Sequence, residues 1–426
     1  MKEKIFAKTI GVGFASFYLV LTLMVGIAGA ADTIKIAFVD PLTGPNEYVG
    51  RAYLAGTQFA AEEQNAKGGL FGKKIEVLAE DSEGKPDVTV RKFKKLILSD
   101  KANFMTIGSG SNNVIAATTV ATEFKKVLII YGGLSDEIMG KHFSPYAFRL
   151  CSANHQHMTA LAKMMAKKPY RKFFMLAQDY AYGHDANRVF KELIKKYVPD
   201  AQIVGEDYHP MNNKDFAPYI NKIITAKADC VFTPNWGADG TNVIKQARSM
   251  GLKPPFPFVT PLIGYDPYIN YNVGSDVVGC LSAKATHIRL NTPENIDLVK
   301  RYHEKHKNDK DFLYWWPWSY IMEPLLAWQM TFAAIEKAGT IDSDKVAATL
   351  EGFSYKTAMG LWKVRECDHQ VSSPIYGAVV SAEPNPFYNG SIRPDVNFPF
   401  LGKEIIVFPA EEMIVPATPD YNPRCK

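Results

Sequence analysis

Five small or polar residues, Ser109, Gly110, Ser111, Asn112 and Asn113, separate an apolar run from an amphipathic one in the stretch FMTIGSGSNNVIAATTVATEFKKVLIIYGG, residues 104–133. The run before them, Phe104 to Ile107, predicts a buried strand. The Ala/Thr/Val-rich segment from Val114 to Lys125 predicts a helix capped by Asn112 or Asn113. A strand that feeds a helix through a Gly/Ser loop turns unpaired N–H groups and hydroxyls toward one point, which suits an anion. Nucleotide readings fail on spacing. No G-x-x-x-x-G-K-[ST] occurs, and the Gly108, Gly110 pair lacks the third glycine and the acidic residue about 20 positions on that a dinucleotide site needs. The loop is therefore expected to hold something smaller than a nucleotide.

Catalytic patterns do not compete. The chain has no G-x-S-x-G and no C-x-x-C, and HEKH at His303 to His306 lacks the spacing of an H-E-x-x-H zinc site. His155 and His157 are two apart, which on a helix puts them on different faces. No cofactor, no metal site and no enzymatic activity are expected.

Positioning such a loop needs a folded scaffold, and the N-terminus says where that scaffold works. Lys2, Lys4 and Lys8 precede an uncharged run from Thr9 to Ala31, apolar at its centre (FYLVLTLMVGIA) and closing on Ala28-Gly29-Ala30. That is the order of a secretory signal peptide, residues 1–30, with cleavage expected after Ala30 or Ala31. No later run is long and apolar enough to span a bilayer, so a soluble exported product is expected. The whole chain carries a net charge of +5, and the leader removes three lysines and one glutamate. The near-neutral remainder argues against nucleic acid or an anionic membrane as partner. The length, 426 residues, exceeds what one core organises, so two domains are expected.

From Ile34 short β-branched runs (IKIAFV, KIEVLAED, FMTIG, VLIIY) alternate with helical segments beginning near Arg51, Asp87 and Val114. After the polar joint CSANHQH the alternation restarts: strand KFFMLAQD, helix from Gly183, strand AQIVGEDY, helix from Asp215, strand CVFTPN, helix from Asp239. Two successive βαβα series predict two parallel-sheet α/β domains with a cleft between them. Helices from Pro293 to Lys307 and from Trp318 to Ala338 follow, then a Pro-rich tail. Cys151, Cys230 and Cys280 sit in apolar runs and read as buried thiols. Cys367 and Cys425 sit in polar surroundings, where an oxidising compartment makes them a candidate disulfide tying the tail to the second domain.

The opening IKIAFVDPLTGPNEYVGRAYLAGTQFAAEEQNAKGGLFGKKIEVLAEDSEGKPD resembles the start of the periplasmic branched-chain-amino-acid-type (type I) solute-binding proteins of ABC importers. It shares with them the LTGP loop, A-x-E-x-x-N-A-x-G-G, G-x-x-I-E-V and D-S-x-x-x-P. DYAYGHD, IKQARSMGLKPPF, SYIMEPLLAWQMTFAAIEKAG and CDHQ extend the resemblance over nearly the whole chain after the leader. It implies two lobes joined by three crossovers at the hinge, each a parallel sheet flanked by helices: lobe one at 32–150 plus 286–366, lobe two at 151–285 plus 367–426. It also implies a monomer that closes on a small solute and delivers it to an ABC permease. A ligand-sensing module feeding a separate receptor is the alternative on the same fold.

Position by position, the resemblance implies that Asn112, with Ser111 beside it, binds the solute's carboxylate. Leu134 is implied to offer a backbone carbonyl and Ser135 a hydroxyl, though Ser135 also reads as a turn cap. Tyr182 and Trp236 (or Gly237) fall at lobe-two cleft positions, Tyr48 (or Val49) at the first loop's aromatic, and Trp315 at the side-chain pocket. Most rings of YWWPWSY are expected to pack in the core. One departure bears on the ligand. Where amino-acid binders carry an acid for the ligand's ammonium, this chain has Pro261 and Leu262. Either Asp136, Asp239 or Asp266 replaces that acid, or the ligand lacks an ammonium, since a buried ammonium without counter-charge is disfavoured. A small organic or aromatic acid is therefore expected ahead of a branched-chain amino acid.

Overall fold

The computed structural model describes residues 33–254, 256–383, 386–387, 399–417 and 421–425; the expected leader lies outside them. The first series forms β1 (Ile34–Asp40), α1 (Glu47–Ala66), β2 (Ile75–Asp81), α2 (Pro86–Leu98), β3 (Phe104–Ile107), α3 (Ser111–Phe124), β4 (Leu128–Ile130) and β5 (Ala147–Arg149). These strands pair in parallel in the order β2-β1-β3-β4-β5. Alternate residues of β1 feed opposite faces: Ile36 and Phe38 join one apolar core, Ala37 and Val39 a second core under α2 and α3. Burial on both faces is why these strands read as continuous apolar runs.

The second series begins with α4 (Asn154–Met165) and continues through β6 (Lys172–Gln178), α5 (Ala181–Tyr197), β7 (Gln202–His209), α6 (Ala217–Thr225), β8 (Cys230–Phe232), α7 (Gly237–Ser249), β9 (Phe258–Val259), α8 (Pro267–Val273) and β10 (Leu281–Lys284). Its strand order, β7-β6-β8-β9-β10, repeats that of the first sheet. The chain then leaves for α9 (Pro293–His306), α10 (Ser319–Ala338) and α11 (Ser343–Leu350), and for a small sheet of β11 (Ser354–Thr357), β12 (Gly360–Val364) and β13 (Val371–Ser372). Among these, α10 packs along α1. On return, β14 (Ile375–Ser381) pairs antiparallel with β10, and β15 (Phe400–Leu401) and β16 (Ile406–Phe408) pair antiparallel with β14. The second sheet is therefore mixed, its parallel strands β6 to β10 being extended by strands that pair antiparallel.

Buried Arg149, at the end of β5, ties the passage between the two sheets. Its Nε donates to Gln370 Oε1 and its Nη1 to the carbonyls of Gly133 and Ser135 at 3.2 and 2.6 Å. Cys367 and Cys425 form a disulfide, while Cys151, Cys230 and Cys280 are buried free thiols. The tail reaches both sheets, since β15 and β16 pair with β14 of the second before the chain crosses over. Lys163 on α4 pairs with Glu412, and the tail then ends at the first sheet's side, where Asn422 Nδ2 donates to the Met139 carbonyl at 2.8 Å. The buried Asn422 amide needs an acceptor, and the turn at Met139 supplies one.

Candidate functional site

In each sheet the strand order reverses beside the first strand of its series, at β1/β3 and at β6/β8. Loops leaving the carboxyl ends of those strands meet around one cavity. The first sheet supplies Gly108 to Ser111, Gly133 and Leu134; the second supplies Tyr180, Tyr182, Trp236 and Leu262.

The first wall is backbone held from behind. The Gly108 and Ser109 amides donate to the carboxylate of buried Asp40 at 3.0 and 2.6 Å, and the Tyr131 hydroxyl donates to it at 3.1 Å. Burial pushes Asp40 up to about 7, against the pull of these donors. Gly110 then adopts φ +77° as the residue before α3, a conformation glycine takes without strain. α3 starts at Ser111, three residues earlier than Val114, and neither asparagine caps it. Asn113 Nδ2 folds back to the Ser109 carbonyl at 3.2 Å, and Asn112 is exposed, away from the cavity lining. Among the described residues the Ser111 and Asn112 amides find no acceptor. Ser111 lines the cavity and its Oγ accepts from the Ser135 amide at 3.2 Å.

The second wall is made of rings carried on helix starts. Tyr180 is the residue before α5 and Trp236 the residue before α7, and neither caps its helix through its side chain. Trp236 Nε1 donates to the Tyr180 hydroxyl at 2.7 Å, fixing both rings. Tyr182 sits inside the first turn of α5, buried, with a hydroxyl that has no partner among the described residues. The N-termini of α3, α5 and α7 thus all end at one cavity, and their unpaired amides and dipoles favour negative charge there.

A charged pair also lines the cavity. Lys284 Nζ, at the end of β10, lies 2.8 Å from Glu323 Oε1 on α10, with both side chains at 2% exposure or less. The ammonium lies 4.5 Å from the centre of the Tyr320 ring. Burial pushes Glu323 up, and the Lys284 charge pulls it down. Sequence reasoning missed both residues. A lysine ending a short strand reads as solvated, but a lone glutamate within SYIMEPLLAWQM, apolar on every face, was the available signal.

Of the residues singled out from sequence, Ser111, Leu134, Tyr182 and Trp236 line the cavity, while Tyr48, Asn112, Ser135 and Trp315 do not. Tyr48 instead closes the rim. Its hydroxyl donates to Asp266 at 2.7 Å and its ring stacks on Tyr268 at 3.9 Å, so the next residue, Val49, reaches the cavity. The Ser135 hydroxyl caps a short turn, accepting from the Glu137 amide at 3.3 Å. Trp315 Nε1 donates to the Asp309 carbonyl at 2.8 Å, outside the cleft. None of the three candidate counter-charges lines the cavity. Asp266 holds Tyr48 and the start of α8. Asp239 accepts from Gln178 Nε2 at 2.7 Å. Asp136 lies 3.6 Å from Arg149, and burial, with Asp185 nearby, pushes it up to about 8.

Residues 33–384 match the family model described as periplasmic binding protein. The chain belongs to the periplasmic binding protein family. Within it, the chain is of the branched-chain amino acid type, a solute-binding component of ABC importers, in a two-lobed type I fold. It is 28% identical over 375 residues to Leu/Ile/Val-binding protein homolog 4 of Brucella abortus, covering 84% of this chain and 86% of that one. Among solved structures, a leucine-, isoleucine-, valine-, threonine- and alanine-binding protein from Brucella ovis, in closed conformation, superposes with a TM-score of 0.78 at 24% identity, over 93% of this chain and 99% of that one. A solute-binding protein of an ABC transporter from Rhodopseudomonas palustris BisB5, in complex with 3,4-dihydroxy benzoic acid, gives 0.76 at 24% identity, over 89% and 98%. This is a family of solute binders rather than of enzymes, and among the described residues no helix is long and apolar enough to cross a membrane.

Proposed function

We propose that this periplasmic binding protein is exported by cleavage after Ala30 or Ala31, works as a monomer in the periplasm and performs no catalysis. Lobe one (32–150 plus 286–366) and lobe two (151–285 plus 367–426) close on one small carboxylate-bearing solute and pass it to an ABC permease. The convergence of the α3, α5 and α7 N-termini on a single cavity carries this reading. The carboxylate takes the free amides of α3 and the uncommitted Tyr182 hydroxyl, Leu134 borders it, and its body lies between the Tyr182 and Trp236 rings. Asn112 serves through its backbone amide, and Tyr48 acts at the rim by joining α1 to α8. The relatives' names include branched-chain amino acids, and one neighbour holds a dihydroxybenzoic acid. With no free acid on the cavity wall among the described residues, a small organic or aromatic acid stands ahead of an amino acid.

Calorimetric titration of the mature protein with short branched and aromatic acids, each beside its methyl ester, tests this. An acid at 100 times its dissociation constant also raises stability by about 2.7 kcal/mol. Esters that bind as tightly as their acids would refute the carboxylate site.

A further inference from the structure

Glu323 is the only carboxylate, and Lys284 the only cation, lining the cavity among the described residues. Their arrangement is what a bound ammonium would need: a carboxylate oxygen at 2.8 Å on one side and the face of the Tyr320 ring at 4.5 Å on another. That place is filled by the protein's own side chain. We propose that Lys284 is a built-in ammonium that occupies the cavity's counter-charge site, so that the protein selects acids without an amino group and rejects the matching amino acids. The proposal rests on the carboxylate reading above and deepens it.

A ligand's ammonium and Lys284 compete for one carboxylate. An incoming ammonium has no other uncommitted acid to meet, because Asp40 is taken by the Gly108 and Ser109 amides and lies outside the lining, and Asp136, Asp239 and Asp266 lie outside it too. To reach Glu323 it must displace Lys284, which would leave one of two buried cations unpaired. An acid lacking the amine meets no such conflict, and the pair, neutral overall, leaves it to the positive helix ends. The pair also joins the two halves of the molecule, β10 of the second sheet to α10 packed on the first, so ligand discrimination and closure draw on the same contact.

The test pairs leucine with isocaproate, phenylalanine with hydrocinnamate and aminomethylbenzoate with toluate, by titration calorimetry and thermal unfolding of the mature protein. In the wild type each amine-free member that binds is favoured by about tenfold or more. Lys284→Met leaves Glu323 open, so the preference falls to parity or reverses, and amine-bearing ligands stabilise the variant more than their partners do. The double variant Lys284→Met, Glu323→Gln removes the buried charge and any folding defect it causes; it gains no amine binding. Equal affinity for both members of a pair in the wild type overturns the proposal, as does unchanged discrimination in Lys284→Met. If the acids bind but discrimination fails, the carboxylate reading survives alone. If no acid binds the wild type at all, both fall.

Discussion

The two walls of the cleft solve the same problem with opposite materials. On the first, β3 runs into α3 through Gly108, Ser109 and Gly110, and the surface offered to a ligand is main chain, held in place by Asp40 behind it. On the second, β6 and β8 run into α5 and α7 through Tyr180 and Trp236, and the surface offered is aromatic. Strand order and helix ends are alike in both sheets. In the reading proposed above, a repeated scaffold thus offers an anion-binding end to one side of a solute and a ring-lined face to the other, through a handful of residues in the connecting turns.

If the first wall depends on Asp40, its loss should be the costliest change. Asp40→Ala strands two amides and the Tyr131 hydroxyl, at about 1–3 kcal/mol each. Urea unfolding should show a loss of about 4 kcal/mol, with weaker ligand binding. A loss below about 1 kcal/mol would mean the loop holds itself.

The joint where the walls meet should respond to acid. His155, at the start of α4, is lowered from 6.5 to about 4 by burial, with the Arg188 charge adding to it. Between those values the unfolded chain binds the proton and the folded one does not, so stability is lost as pH falls from 6.5 toward 4, by up to about 3 kcal/mol. In His155→Gln the pH dependence of the urea midpoint should be flatter by that amount; an unchanged profile would remove His155 from the account.

The rim comes next. Tyr48→Phe deletes a hydrogen bond to a carboxylate that spans the lips, worth about 2 kcal/mol, so ligand should leave roughly thirtyfold faster in stopped-flow experiments. An unaltered off-rate would show that the lips do not hold the closed form. The smallest effect belongs to the second wall. Trp236→Phe keeps a ring but loses the bond to Tyr180, costing about 1 kcal/mol, or about fivefold in affinity. If it costs as much as Asp40→Ala, the contrast between the walls is wrong.

Much of this was legible in the sequence where pattern and burial agree. The two βαβα series, the buried strands and the site loop follow from alternation of apolar runs with helical segments. Helix starts were misplaced where they matter most: α3, α5 and α7 begin two or three residues before Val114, Gly183 and Asp239. Sequence reading finds helix starts by their side-chain caps, and these three helices have none. Tyr48 was read as a ligand contact because neighbouring positions on α1 cannot be told apart without the opposite lip, which is formed by Asp266 and Tyr268. Lys284 and Glu323 are 39 residues apart and meet only through tertiary packing.

Capture between the two walls is tested most directly by small-angle scattering of the mature protein, alone and saturated with an acid that calorimetry shows to bind. Ligand that touches both walls must favour the closed form, since only there are both sets of contacts made. The account predicts a smaller radius of gyration on saturation, diminished in Tyr48→Phe. A saturated protein with an unchanged radius, in wild type and variant alike, would contradict it.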